Sequence, residues 1–101
     1  MADHPPYRIL FHHDFPRDLD EIPRNMVRRI LKAIEERLTQ DPDKYGERLR
    51  QSLRGFWKLR VGDYRVVYEV VGDEVRLYGV RNRREVYGEI SKRTGKGWSP
   101  E

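Results

Sequence analysis

The chain has 101 residues, 37% of them hydrophobic and 38% charged, which is one small domain with a compact core beneath a highly charged surface. A chain of this length buries about 60–70% of its unfolded surface, so a large enzyme with a deep pocket around a bulky cofactor is excluded. Its 21 Lys and Arg against 17 Asp and Glu give a net charge of +4, and the absence of cysteine excludes disulfides and thiolate metal sites.

The surplus is unevenly placed. Residues 1–50 hold 10 basic and 10 acidic residues and residues 51–101 hold 11 and 7, so a polyanion-binding surface is expected in the second half. A solvated strand face with a loose basic tail accounts for the same asymmetry equally well. The start, Met-Ala-Asp-His, lacks a basic stretch followed by an apolar run, and no apolar segment approaches the roughly 20 residues that span a bilayer. The chain is therefore expected to lack a signal peptide, to have no membrane partner and to be cytoplasmic.

In chain order, Tyr7 to Phe11 is a β-prone run after a Pro-Pro break and reads as a first strand. Pro16 and Pro23 suit first helical turns, which predicts a short helix over Pro16 to Glu21 and a longer one over Pro23 to Gln40. In the longer one Met26, Val27, Ile30, Leu31, Ile34 and Leu38 form one apolar stripe, and Asp41-Pro42 ends it. Residues 41–55 read as an irregular connector, with a helical turn at Glu47 to Leu53. Phe56 to Val61, Tyr64 to Val71 and Glu74 to Val80 are rich in aromatic and β-branched residues, and Gly62-Asp63 and Gly72-Asp73 separate them as two-residue turns. After a short segment ending near Ser91, for which a helix is one reading, residues 92–101 are expected to form a flexible tail in which Trp98 has no assigned role. The fold class is α+β: a strand, two helices, then an antiparallel three-strand meander with the helices on one face. The whole chain, 1–101, is read as a single domain with a core of about residues 7–90.

Chemistry-bearing constellations are few. His4, His12 and His13 lack metal-ligand spacing, and adjacent His12 and His13 are expected to point to opposite sides of a strand, so no metal and no cofactor is expected. Ser52, Ser91 and Ser99 have no nucleophile context, and Gly-rich phosphate loops are absent. What remains is cationic. Lys58 and Arg60 alternate with Trp57, Leu59 and Val61 and share a strand face, Arg65 lies just past the turn, and Arg81, Arg83 and Arg84 precede Tyr87. Guanidinium forks match phosphate bidentately and an aromatic ring stacks on an unpaired base, although exposed sheet faces also carry Lys and Arg merely to stay soluble.

The stretch Gly55-Phe56-Trp57-Lys58-Leu59-Arg60-Val61-Gly62-Asp63-Tyr64-Arg65-Val66-Val67-Tyr68, followed by Arg83-Arg84-Glu85-Val86-Tyr87, resembles the RelE/ParE toxin superfamily over about residues 7–90. The resemblance implies a RelE-like toxin of a type II toxin–antitoxin pair, a ribosome-dependent mRNA endoribonuclease that acts in the ribosomal A site. There the mRNA's own 2′-hydroxyl attacks the adjacent phosphate without a metal, leaving a 2′,3′-cyclic phosphate and a 5′-hydroxyl. Carried over by position, Lys58 contacts phosphate and helps deprotonate the 2′-hydroxyl, and Arg65 stabilises the transition state. Arg81 is the acid or phosphate clamp, and Tyr87 orients or stacks on the nucleotide. Arg83 is a supporting phosphate contact and Arg60 a further cation on Lys58's face. Glu47 stands where a YoeB-like branch places a general base.

Two positions depart from the family pattern: Phe56 where some members have a second lysine, and Asn82 where many have a histidine. An amide does not exchange protons near pH 7, so acid–base work falls on Lys58, Arg81, Glu47 or Tyr87. The implied partners are a cognate antitoxin with an acidic or amphipathic helical segment, the ribosome and mRNA, with operator DNA for the toxin–antitoxin complex. Two other readings stay open: a ParE-like DNA gyrase inhibitor on the same fold, and an inactive relative that only binds an antitoxin.

Overall fold

The strands and helices follow from where the apolar period changes. A computed structural model describes residues 6–101; Met1–Pro5, with His4, lie outside the described residues. Strand β1 (Arg8–Phe11) leads into helix α1 (Phe15–Asp20) and helix α2 (Arg24–Ala33), whose end widens into a π-helical turn, Ile34–Leu38. The connector departs from the helical turn expected at Glu47 to Leu53: after a one-turn helix α3 (Pro42–Tyr45), Glu47 and Arg48 pair as a two-residue strand β2 (Glu47–Arg48), and only Gln51–Leu53 makes a 3₁₀ turn. The meander follows as β3 (Trp57–Val61), β4 (Tyr64–Val71) and β5 (Glu74–Asn82), and helix α4 (Val86–Gly95) closes the chain. Gly62 and Gly72 have φ of 59° and 61°, a left-handed conformation that these tight turns require and that costs glycine nothing. The sheet order is β1-β5-β4-β3-β2, with β1 parallel to β5 and the other neighbours antiparallel. Among the described residues no helix is long and apolar enough to cross a membrane.

Period-two alternation divides the sheet between two apolar clusters. On one face Leu59, Val61, Val66, Tyr68, Val75, Leu77 and Val80 pack against Phe15, Ile30, Ile34 and Leu38. Burial of such side chains is worth about 1.5–3 kcal/mol each, before the entropy of ordering them. The stripe expected on the long helix meets this face through Met26, Val27, Ile30, Ile34 and Leu38, whereas Leu31, expected in the same stripe, is 38% exposed and lies outside the cluster. On the other face Val67 and Tyr78 meet Val86 and Ile90 of α4, with Phe56 and Trp98 packed alongside. The expectation of helices on one face therefore holds for α1 and α2, whereas α4 lies opposite. Its apolar stripe is only Val86 and Ile90, four residues apart, too short a pattern to announce a packed helix.

The segment expected to be a loose tail is instead built into the structure. α4 runs on to Gly95, and Trp98 then stacks edge-on against Tyr78 with ring centroids 5.1 Å apart. The His13 amide donates to the Ser99 carbonyl and the Glu101 amide to the Phe11 carbonyl, both at 2.9 Å, which straps the end of the chain to the end of β1. His12 lies beneath this strap, 3% exposed, and its Nδ1 accepts the Asp14 amide at 3.1 Å. Burial, and next the Arg93 and His13 charges, lower its pKa from the usual imidazole range. Between that lowered value and about 6.5 the unfolded chain binds a proton that the folded one does not, so stability is complete above about pH 6.5 and falls as pH drops through the folded value. Urea unfolding at pH 7.5 and pH 5 is expected to show a steeper loss for the wild type than for His12→Gln; equal losses would contradict this.

Candidate functional site

The hairpin register sets the site. Across three strands Arg60, Arg65 and Arg81 are direct neighbours, Arg60 opposite Arg65 and Arg65 opposite Arg81. Directly opposite residues share a face, with Cα atoms about 4.5–5.5 Å apart. Like charges so placed destabilise a sheet, and three guanidiniums in one row concentrate positive charge at one place on it. The row lies on the α4 face, beside the second apolar cluster. Arg65 is only 8% exposed, and its Nη1 donates to the Gly62 and Tyr64 carbonyls at 2.9 and 3.0 Å, which pins the guanidinium to its own turn.

One row further along, Lys58 pairs with Val67 on one side and with Glu47 of β2 on the other. The unanticipated strand β2 thus places Glu47 on the face of Lys58. Lys58 Nζ donates to the Tyr87 hydroxyl at 3.0 Å and stands 5.7 Å from its ring centroid. Tyr87, in the first turn of α4, is 41% exposed, so the side chain is open to solvent beside Lys58. Arg83 stands apart from the row, exposed at the strand end, with its amide on the Asp63 carbonyl at 2.8 Å and its Nε 3.9 Å from the Asp63 carboxylate.

Arg81 is held from behind. Its Nη2 lies 3.1 Å from Oδ1 of Asp18, a carboxylate with no exposed surface, and Arg93 of α4 pairs with both oxygens of the same group at 2.7 and 3.1 Å. Asp18 Oδ2 also accepts the Val80 amide at 3.0 Å, standing in for a strand neighbour where β1 has already ended. Gly79 makes this possible. A Cβ there would collide with Ile90 and the Arg93 guanidinium and come within 2.9 Å of Asp18 Oδ2.

Sequence reasoning assigned no role to Asp18 or Arg93. A signal for Asp18 existed: it lies three residues after Phe15 and four before Ile22, both buried, so it sits on the apolar stripe where an isolated carboxylate would be costly. The two departures from the family pattern have local explanations. Phe56 packs edge-on against Tyr78, with centroids 5.0 Å apart, and Asn82 Oδ1 accepts the Arg84 amide at 2.9 Å. Burial, with Glu69 as the next cause, pushes the Tyr78 hydroxyl up to about 12, which keeps it protonated under that packing.

His12 and His13 do not diverge as expected. The chain turns after β1 and stacks their rings with centroids 4.4 Å apart, and with Asp14 they bring three ligand-type atoms within 4.8 Å of one another. His12 Nδ1 already accepts the Asp14 amide, and the Arg93 charge bears on the same imidazole, so this group is poorly suited to a cation.

With this geometry in place, the chain can be set beside known proteins. A family model described as the ParE toxin of the type II toxin–antitoxin system parDE matches residues 4–87. The chain belongs to the RelE/ParE toxin superfamily. The superfamily resemblance carried by Gly55–Tyr68 and Arg83–Tyr87 is borne out. The toxin RelE of Mycobacterium tuberculosis is 33% identical over 70 residues, which are 69% of this chain and 72% of the relative. Among solved structures, a chain of the toxin–antitoxin complex RelBE2 from the same organism superposes with a TM-score of 0.73 at 26% identity, covering 82% of this chain and 98% of that one. The RelB–RelE antitoxin–toxin complex from Methanococcus jannaschii gives 0.61 at 27% identity, over 79% and 96%. The RelE/ParE fold is thus shared along nearly the whole of these partners.

Proposed function

We propose that this RelE/ParE superfamily member is a ribosome-dependent mRNA endoribonuclease, the toxin of a type II pair held in check by a cognate antitoxin. The observation that carries the reading is the Lys58–Tyr87 contact beside the Arg60–Arg65–Arg81 row: a ring for a base next to a fixed array of cations for a phosphate. The chemistry follows from these groups. Arg65 and Arg81, with Arg60 as a third cation, neutralise the charge that grows on the phosphate when the 2′-hydroxyl attacks. Glu47, on the face of Lys58, offers a carboxylate to take the 2′-hydroxyl proton, whereas an ammonium must first lose its own. The Tyr87 hydroxyl accepts from Lys58 and keeps its own proton to donate towards the leaving 5′-oxygen. Arg83, at the strand end, suits a flanking phosphate.

Location in the cytoplasm and the ribosomal A site as docking place belong to this reading. So does an antitoxin partner, supported by the relatives solved as RelBE2 and RelB–RelE complexes.

The family description as a ParE toxin favours a second reading, inhibition of DNA gyrase without RNA chemistry. Purified protein added to translating ribosomes, followed by primer extension, separates the two. New mRNA ends that weaken about tenfold or more in Glu47→Gln are expected for the nuclease; intact mRNA together with blocked supercoiling by gyrase would favour the second reading instead.

A further inference from the structure

We propose that Asp18 is the positioning residue of the site, one buried carboxylate that sets both Arg81 and the helix bearing Tyr87. Its kinetic consequences rest on the nuclease reading; its structural consequences do not.

Asp18 accepts two N–H groups of Arg93 and the Val80 amide, and its Oδ1 also forms an ion pair with the Arg81 guanidinium at 3.1 Å. Folding alone does not call for a charge there. Asp18 lies between Phe15 and Ile22 on a buried stripe, and packed apolar side chains in place of Asp18, Arg81 and Arg93 together would hold the fold about as well as the ionic cluster does. What the carboxylate adds is a common anchor for two cations from different elements, one on β5 and one on α4. Without it Arg81 and Arg93 repel each other across Gly79. Arg93 also donates to the Tyr78 carbonyl at 2.9 Å, so α4 is held to both α1 and β5 at this point. Tyr87 stands six residues earlier on the same helix, about 9 Å along a rigid axis, so the anchor at Arg93 fixes where the Tyr87 ring meets Lys58. Arg81 keeps 28% of its side chain exposed while its inner edge is held, and its Nε is buried with no hydrogen-bond partner among the described residues. The guanidinium is aimed by Asp18 rather than by a full set of bonds of its own.

The test uses the full-length chain with Asp18→Asn, Arg93→Met, Tyr87→Phe and the Arg93→Met/Tyr87→Phe pair. In nuclear magnetic resonance spectra a contact between the Lys58 ε-protons and the Tyr87 ring is expected in the wild type. It should be lost in Asp18→Asn and Arg93→Met while the amide spectrum remains that of the folded protein, and the Arg81 Nε–H signal should shift in Asp18→Asn. In cleavage assays Asp18→Asn is expected to lower kcat about a hundredfold with KM little changed, the signature of misplaced rather than missing groups. Arg93→Met added to Tyr87→Phe should cost less than it does in the wild-type chain, because the hydroxyl that the anchor places is already gone. Retention of the Lys58–Tyr87 contact in both single variants, or additive losses in the double variant, would overturn the proposal. If Asp18→Asn does not fold, Arg93→Met decides, since it leaves Asp18 paired with Arg81 and Val80. Wild-type protein that cleaves no mRNA would remove the nuclease reading and leave the spectroscopic arm to decide this one.

Discussion

Arg65→Ala is expected to reduce mRNA cleavage by about 10²–10³-fold in kcat, the cost of removing one fixed donor from a developing oxyanion. Arg65 is central in the row of three guanidiniums and nearly buried, so water cannot take its place. Its two bonds to the Gly62 and Tyr64 carbonyls hold the fork still before any substrate arrives, which is the condition under which a cation stabilises a transition state most. Those bonds are worth about 1 kcal/mol each to the hairpin, about 2 kcal/mol together, so the variant should stay folded while its melting temperature falls by about 8–16 °C. Arg65→Lys is expected to be nearly as poor, because an ammonium cannot bond both carbonyls and still present a fork to phosphate. Quantified primer extension, with thermal unfolding alongside, checks the pair; a kcat within about threefold of the wild type for either would show that Arg65 does not face the reacting phosphate.

The largest effect on stability is expected at Asp18. Asp18→Ala strips the carboxylate from Arg81, Arg93 and the Val80 amide at once and leaves two cations facing each other in a buried setting. Breaking such a buried pair costs about 3–5 kcal/mol, a large part of the 5–15 kcal/mol that holds a typical domain together. The exposed Arg83–Asp63 contact at 3.9 Å provides the comparison: Asp63→Ala should change stability by no more than about 0.5 kcal/mol. Urea unfolding of both variants decides the matter. A loss below about 1 kcal/mol for Asp18→Ala would mean that water reaches the three groups and that the carboxylate anchors nothing.

Much of this was legible in the residues, and the failures share a physical cause. Long or repeated patterns were read correctly: the stripe from Met26 to Leu38, the aromatic and β-branched runs of the meander, and the two Gly-Asp turns that set its register. The Gly62-Asp63 turn places Arg60 opposite Arg65, but Arg81 joins the row only because β5 runs on past Val80 and bulges beside Tyr78; without that bulge the Gly72-Asp73 turn would set Val80 opposite Arg65, and no turn length announces it. Strand β2 could not be anticipated either, because two residues carry no periodicity and Glu47 is brought beside Lys58 only by pairing with β3. The second face was missed for a similar reason. Val86, Ile90 and Trp98 are each unremarkable in the chain and acquire meaning only when Val67 and Tyr78 need cover. Asp18 and Arg93, 75 residues apart, find each other through tertiary structure, which no local pattern encodes.

The chemistry of the cut ends tests the central claim most directly. Fragments made by the wild-type protein on translating ribosomes should carry 5′-hydroxyl ends that accept a ligated adapter only after phosphorylation, with 2′,3′-cyclic phosphates opposite. A message with a single 2′-deoxynucleotide at the cleaved position should survive intact. Fragments with 5′-phosphates, or cleavage at the 2′-deoxy position, would contradict attack by the 2′-hydroxyl and with it the roles given to Glu47, Lys58, Arg65, Arg81 and Tyr87.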